Sequence, residues 1–268
     1  MNILDEIVLQ TRQDLERRKE ETSQRDLLKR LEGPLEAPRF KAALAVPGRI
    51  HLVAEIKKSS PSCGVIRPDF DPLAIASAYA QAGVSALSIL TEEKYFGGRL
   101  AYLDEVRRAV SLPVLRKDFI VDEYQIYESK AHGADAVLLI ASLLDRPALR
   151  RFARLASDCS LDVLLEIHDE AEVEMVAEAP QALIGINTRN LKDFSTDFGV
   201  LTRLAGRLPK DRLVICESGV KDKGDLALIK EAGVSGVLVG TSLMRAKDPG
   251  ALAAVFVSFL KSSAVVGD

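Results

Sequence analysis

From residue 51 onward, short β-branched or leucine-rich runs alternate with longer amphipathic stretches, the pattern of parallel strands joined by crossover helices. Eight runs qualify: HLVAEIK (51–57), SALSILT (85–91), PVLRKDF (113–119), DAVLLIA (135–141), DVLLEIH (162–168), ALIGINT (182–188), RLVICES (212–218) and GVLVGTS (236–242). Helices are predicted to start near Asp71, Leu100, Asp122, Asp145, Asp169, Asp197, Asp222 and Asp248. Seven of these eight are aspartates, whose carboxylates accept hydrogen bonds from the free N–H groups at a helix N-terminus.

A faint repeat supports the same reading. QAGVSALSILT, AHGADAVLLIA and EAGVSGVLVGT each place a glycine (Gly83, Gly133, Gly233) shortly before a strand, where a helix C-terminus commonly needs left-handed backbone. Eight such units in about 220 residues fit a closed (β/α)8 TIM barrel better than an open doubly wound sheet. No Gly-x-Gly-x-x-Gly turn follows the first strand, so a dinucleotide fold is disfavoured. Residues 1–45 differ: Ile3, Leu4, Ile7, Val8 and Leu15 recur at helical spacing, and RDLLKRLEG ends at Gly33 before Pro34 and Pro38. They predict an N-terminal helical extension packed on one end of a catalytic barrel over 46–268, the two forming a single domain.

Composition narrows the partners. With 268 residues, 47% of them hydrophobic, the chain can bury a large core, and a net charge of -3 without long basic blocks gives no reason to expect nucleic acid or an anionic membrane. No apolar run is long enough to span a bilayer, and MNILDEIVLQ carries acids where a secretory signal carries bases. A cytoplasmic enzyme with a small-molecule partner is expected. Cys63, Cys159 and Cys216 are widely spaced and the three histidines show no ligand spacing, so neither disulfides, a metal nor a cofactor is implied.

In a barrel of this kind the active site is built at the C-terminal ends of the strands. The polar residues there are Glu55 and Lys57; Thr91 and Glu92; Lys117 and Asp118; Ser142; Glu166 and His168; Asn187 and Arg189; Glu217 and Ser218; Gly240 and Thr241. Glu55 and Lys57 are two apart and share a face. Glu55, Lys117 and Glu166 each interrupt an apolar run near its end, as converging acids and bases for proton transfer would. His168 lies just past Glu166 and within reach of the mouth, whereas His51 starts a strand at the opposite rim and His132 sits at a helix end. ESGV and VGTSLM follow the seventh and eighth strands with Gly219 and Gly240, the pair of loops where this fold grips a phosphate. A strand lysine near a phosphate site also suits a Schiff-base aldolase.

These residues resemble the indole-3-glycerol phosphate synthase family of tryptophan biosynthesis. The resemblance rests on AEIKKSSPS, LTEEKYFGG, PVLRKDFIVDEYQI, GADAVLLIAS, LLEIHDE, IGINTRNL, ESG and GVLVGTSLM, in that family's order across residues 3–260. It implies ring closure of a carboxyphenylamino-deoxyribulose 5-phosphate to indole-3-glycerol phosphate with loss of CO2 and water. It also implies Lys117 as general acid, Glu166 as base, and Lys57 and Glu55 in supporting or alternative acid roles. Lys57 further matches a contact to the substrate carboxylate or phosphate, and Ser60, Ser218, Gly219, Gly240 and Thr241 match the phosphate site. Asn187 and Arg189 match residues that orient the sugar hydroxyls and the aromatic carboxylate, Glu217 belongs to the substrate-binding set, and Phe96, Phe119 and Leu138 match an apolar sandwich around the ring. Neighbouring charge and desolvation are expected to bring the Lys117 ammonium toward neutrality. Gly97 and Cys63 depart from the family's usual loop residues, and Thr241 stands where serine is common. A monomer or weak homodimer is expected.

Overall fold

All eight apolar runs form strands, and a helix or helical turn follows each. The computed structural model describes residues 3–190 and 195–261, so Leu191, which ends the stretch IGINTRNL, and the terminal residues of both predicted regions lie outside it. The barrel strands are β1 (His51–Ile56), β2 (Ala86–Leu90), β3 (Val114–Lys117), β4 (Ala136–Ile140), β5 (Asp162–Ile167), β6 (Leu183–Asn187), β7 (Val214–Glu217) and β8 (Gly236–Val239), and a short antiparallel pair, Ser59–Ser60 with Gly64–Val65, lies in the loop after β1. Each pairs in parallel with its sequence neighbours, and β1 pairs with β8, closing the barrel. Both faces of every strand are covered, which is why the strands read as nearly unbroken apolar runs.

Alternation sorts the side chains. Leu52, Ala54 and Ile56 of β1 face outward, in the layer between strands and helices that includes Ile75, Tyr79, Val106 and Phe256. Val53, Leu115, Ala136, Leu164, Leu183 and Ile215 face inward and form the lower core. The surrounding helices are α4 (Pro72–Ala82), α5 (Ala101–Ala109), α6 (Glu123–Ala131), α7 (Arg146–Asp158), α8 (Gly199–Ala205), α9 (Lys223–Glu231), α10 (Thr241–Arg245) and α11 (Pro249–Lys261), with a 3-10 segment at Glu170–Glu178 in place of an α-helix after β5. Asp71, Asp122, Asp145, Asp169 and Asp222 cap their helices as expected, each accepting from an N–H of the first turn. Asp197 differs: its carboxylate accepts from Gly199 N at 2.8 Å, and Phe198 is the residue that leads into α8.

The extension comprises α1 (Ile3–Glu21), α2 (Gln24–Arg30) and α3 (Phe40–Leu44), and it does not sit on one end alone. The start of α1 reaches the mouth, where Leu4 borders the cavity beside His168 and Arg189. Its C-terminal half lies along α6: Arg18 Nε is 3.2 Å from Glu128, Lys19 pairs with Asp122 at 2.9 Å, and the Tyr124 hydroxyl donates to the carbonyls of Arg18 and Thr22. Helix α3 then inserts Phe40 and Leu44 into the lower core, closing the bottom of the barrel. The extension therefore straps the two ends together. One expectation about the mouth also changes. Asp118 turns to Arg116 (2.9 Å), to the Thr91 hydroxyl (2.5 Å) and to its neighbour Phe119 N (2.8 Å), so it serves a buried outward-facing network that includes Glu128.

Candidate active site

Inward positions one step above the lower core carry the charges. Register places Glu55 beside Ser88, Ile140 beside Glu166, Glu166 beside Gly185, and Asn187 and Leu238 beside Glu217. Two of these positions are occupied by residues without a side chain for a steric reason. A Cβ on Gly185 would collide with Oε1 of Glu217, and one on Gly240 would collide with Oε2 of Glu55. The glycines leave the space that the ends of these two carboxylates occupy.

The ionisable groups are brought into contact. Lys117 Nζ lies 2.9 Å from Glu166 Oε2 and 3.3 Å from Glu217 Oε2, and Lys57 Nζ donates to Glu55 Oε2 at 2.5 Å. Glu166 also accepts from Asn187 Nδ2 at 3.1 Å, and His168 Nε2 is 3.1 Å from its Oε1. All of these groups are nearly buried, so each charge depends on its partners rather than on water. Burial alone would raise the Glu166 pKa, but Lys117 and His168 outweigh it and hold the carboxyl well below its usual range. Glu217 goes the other way: burial and the nearby Glu166 carboxylate override Lys117 and push it up to about 8.

Lys117 corrects the sequence reading. Burial by itself would lower its pKa toward neutrality, but the carboxylates of Glu166, Glu217 and Glu55 overcome burial and raise it above the ordinary lysine value. In the free site Lys117 is firmly an ammonium. That state disfavours the aldolase reading, because imine formation needs a neutral amine.

Two cavities flank this cluster. One, of about 400 Å3, is bordered by Ser218, Gly219, Gly240, Thr241, Lys57 and Arg245. Ser218 and Gly219 both take left-handed backbone (φ 69° and 84°), which folds the chain tightly at its rim. Helix α10 starts at Thr241 with no side chain capping its first N–H groups, which leaves them available to an anion. The other cavity, of about 120 Å3, is bordered by Phe96, Phe119, Leu138, Leu90 and Ile140 on its apolar side, with Glu166 and Asn187 facing them. The Phe96 and Phe119 ring centroids are 6.0 Å apart. Phe96 is positioned from its backbone, since Glu92 accepts from the N–H groups of Lys94, Tyr95 and Phe96.

Arg189 borders both cavities; its N–H donates to Asn187 Oδ1 and its Nη1 is 3.4 Å from the Ser62 hydroxyl. Ser60 borders neither cavity. Its hydroxyl meets that of Ser62 at 3.4 Å in the loop after β1, so it reaches the site only through that loop. Sequence reasoning passed over Arg245, Lys221, Leu90 and Ile140. Arg245 had a usable signal, since it lies four residues after Thr241 and hence on the same face of a helix.

The chain is similar to known proteins along nearly its whole length. The family model for indole-3-glycerol phosphate synthase matches residues 4–255. The indole-3-glycerol phosphate synthase of Alkaliphilus metalliredigens is 42% identical over 248 residues, covering 92% of this chain and 95% of that one. The enzyme of the same name from Acetivibrio thermocellus is 44% identical over 247 residues, covering 91% and 95%. Among solved structures, KGPDC from Streptococcus mutans superposes with a TM-score of 0.62 at 13% identity, covering 80% of this chain and 98% of its own. Thiamine phosphate pyrophosphorylase from Pyrococcus furiosus does so at 0.59 and 15%, covering 82% and 98%. At such low identity these two structures speak to the barrel fold alone.

Proposed function

The chain belongs to the indole-3-glycerol phosphate synthase family, and from that premise we propose a residue-level account of its reaction. The enzyme is a carboxy-lyase of tryptophan biosynthesis: it closes the ring of 1-(2-carboxyphenylamino)-1-deoxyribulose 5-phosphate to indole-3-glycerol phosphate with loss of CO2 and water. The observation that carries the residue assignment is the buried Lys117, Glu166 and Glu217 cluster lying between an apolar cavity and one rimmed by Ser218, Gly219, Gly240 and Thr241.

The substrate has a matching polarity. Its phosphate lies against Ser218, Gly219, Thr241 and the start of α10, with Arg245 adding charge; its aromatic ring lies between Phe96, Phe119 and Leu138. The ketose carbonyl then meets Lys117. As the ring carbon attacks that carbonyl, negative charge develops on oxygen and the Lys117 ammonium donates its proton, forming the hydroxyl. CO2 departs and leaves its electron pair to restore the aromatic ring, a step favoured by the dry apolar wall. Dehydration follows: an acid protonates the departing hydroxyl while Glu166 takes a proton from the neighbouring carbon. Lys57, held by Glu55, is close enough to share the acid role, and Glu217 steadies Lys117. Asn187 and Arg189 orient the sugar hydroxyls and the carboxylate, and Ser60 supports the phosphate end through its loop.

The raised pKa of Lys117 belongs to the free site. A substrate that separates Lys117 from Glu166 removes its main counter-charge, and the ammonium becomes a better acid only then. We also take the protein to work in the cytoplasm as a monomer or weak homodimer, without nucleic acid or membrane partners, with residues 1–45 and 46–268 acting as one domain. The net charge of -3 and three free cysteines support this setting, and among the described residues no helix is long and apolar enough to cross a membrane. The direct test is the purified protein with the carboxyphenylamino substrate: indole fluorescence must appear, and it must appear far more slowly with Lys117→Met or Glu166→Gln.

A further inference from the structure

The active-site cluster as assigned leaves one contact unused. His168 ends β5 two residues beyond Glu166, and its Nε2 lies 3.1 Å from Glu166 Oε1 while its Nδ1 lies 3.3 Å from Glu172 Oε2. Glu172 belongs to the 3-10 segment after β5 and also accepts from His168 N at 2.7 Å, so one carboxylate fixes both the backbone and the ring. The imidazole thus lies between two carboxylates, hydrogen-bonded to Glu172 through Nδ1 and within ion-pair distance of the base through Nε2, which makes no hydrogen bond. Because His168 was within reach of the mouth by sequence alone, only this clamp gives it a defined task.

We propose that His168, held by Glu172, is a positioning residue that keeps Glu166 ionised and aimed after Lys117 has given up its charge to the substrate. The inference rests on the reading of Glu166 as the base. Its necessity follows from the charges. Of the three inward carboxyl groups, Glu217 keeps its proton up to about 8, so the Glu55 and Glu166 carboxylates face two ammonium groups, Lys57 and Lys117. Once Lys117 donates its proton, His168 is the remaining cation against Glu166 among the described residues, and a buried carboxylate without one takes a proton and ceases to be a base. Asn187 supplies a hydrogen bond at 3.1 Å but no charge.

The surroundings favour an imidazolium. A cavity of about 540 Å3 beside the ring has Asp169, Glu172, Asp197 and Arg189 as its charged walls, and Lys117 lies on the far side of Glu166. Among the described residues, carboxylates outnumber cations around the ring. Burial would lower the His168 pKa, but Glu166 and Glu172 outweigh it and lift it to about 10. The second clamp matters for that reason: without Glu172 the ring has only the base itself to keep it charged.

His168→Gln keeps a donor next to Glu166 and removes the charge. Its kcat–pH profile should show the acid limb displaced upward by on the order of one pH unit, with KM nearly unchanged. Glu172→Gln should displace the acid limb in the same direction but by less, because the ring then has only Glu166 to keep it charged. Adding Glu172→Gln to His168→Gln should change the profile no further. Circular dichroism and thermal unfolding identify folded variants. If His168→Gln is folded and its acid limb coincides with the parent's, or if it merely lowers kcat at all pH values, the proposal is overturned while the base assignment stands. If Glu166→Gln retains turnover, the base assignment falls and this inference with it.

Discussion

At the bottom of the barrel the inward positions of β1, β3, β5 and β7 are Val53, Leu115, Leu164 and Ile215, sealed from below by Phe40 and Leu44. Two residues further along the same strands they are Glu55, Lys117, Glu166 and Glu217. The backbone and the alternation are the same in both layers and both are largely shut off from water, Lys117 alone being partly exposed; the side chains differ. The lower layer is held by dispersion and exclusion of water, which are non-directional and tolerate exchange of similar volumes. The upper layer is held by directed ion pairs whose removal leaves a buried charge unpaired. Stability is concentrated below and chemistry above, and α1 to α3 connect the two.

Substitutions should separate these layers. The largest expected effect is on chemistry: Lys117→Met and Glu166→Gln should each lower kcat by roughly a thousandfold, the scale of general acid or base catalysis, while the protein still unfolds cooperatively. Steady-state fluorescence assays and thermal melts measure the two properties together. Near-parent turnover in either variant would remove its assigned role. The converse substitution is Phe40→Ala. It should cost about 3–5 kcal/mol by denaturant titration, as for a fully buried aromatic, and leave kcat per folded molecule unchanged. A catalytic loss in fully folded Phe40→Ala would show that the layers are coupled through the extension.

Gly240→Ala is a smaller intrusion at the boundary. Its Cβ would displace the Glu55 carboxylate and with it Lys57, so kcat/KM should fall by roughly ten- to a hundredfold with little change in melting temperature. The smallest effect is a pH-dependent one at Glu217. In the folded protein this residue keeps its proton up to about 8, whereas an unfolded glutamate loses it near about 4.3. The folded state binds more protons across that window, so Glu217 makes stability decline as pH rises through it. Glu217→Gln should abolish that decline, gaining about 1 kcal/mol or more over the parent at pH 8.5 relative to pH 4. Parallel stability–pH curves for the two proteins would contradict the raised pKa.

Much of this arrangement was legible before any coordinates. The eight strands follow from apolar runs of strand length, and six of the helix starts follow from an aspartate that caps the first turn, Asp248 included through Ala251 N. Glu55, Lys117 and Glu166 were conspicuous because an acid or base inside an apolar run must have a partner. Asp118 was misleading for a reason that alternation already contains: it is adjacent to Lys117, and neighbours on a strand cannot both face the mouth. Gly240 reads as a phosphate-loop glycine and Gly185 as one position of an apolar run, and nothing local announces that each makes space for a carboxylate from another strand.

The sequence by itself determined the periodicities, the caps and the set of ionisable groups that the strand ends carry, because these depend on spacing along the chain and on the chemistry of single residues. Only the tertiary structure decided which of those groups meet. Closure of β1 against β8, the register of β5 against β6 and the passage of the extension from mouth to bottom set distances between residues far apart in sequence. Ion-pair energies and pKa values follow those distances. That is why Lys117 was identifiable as a charged group from its strand, while its firm protonation and the clamp on His168 emerged only once three carboxylates and an imidazole were folded around the same point.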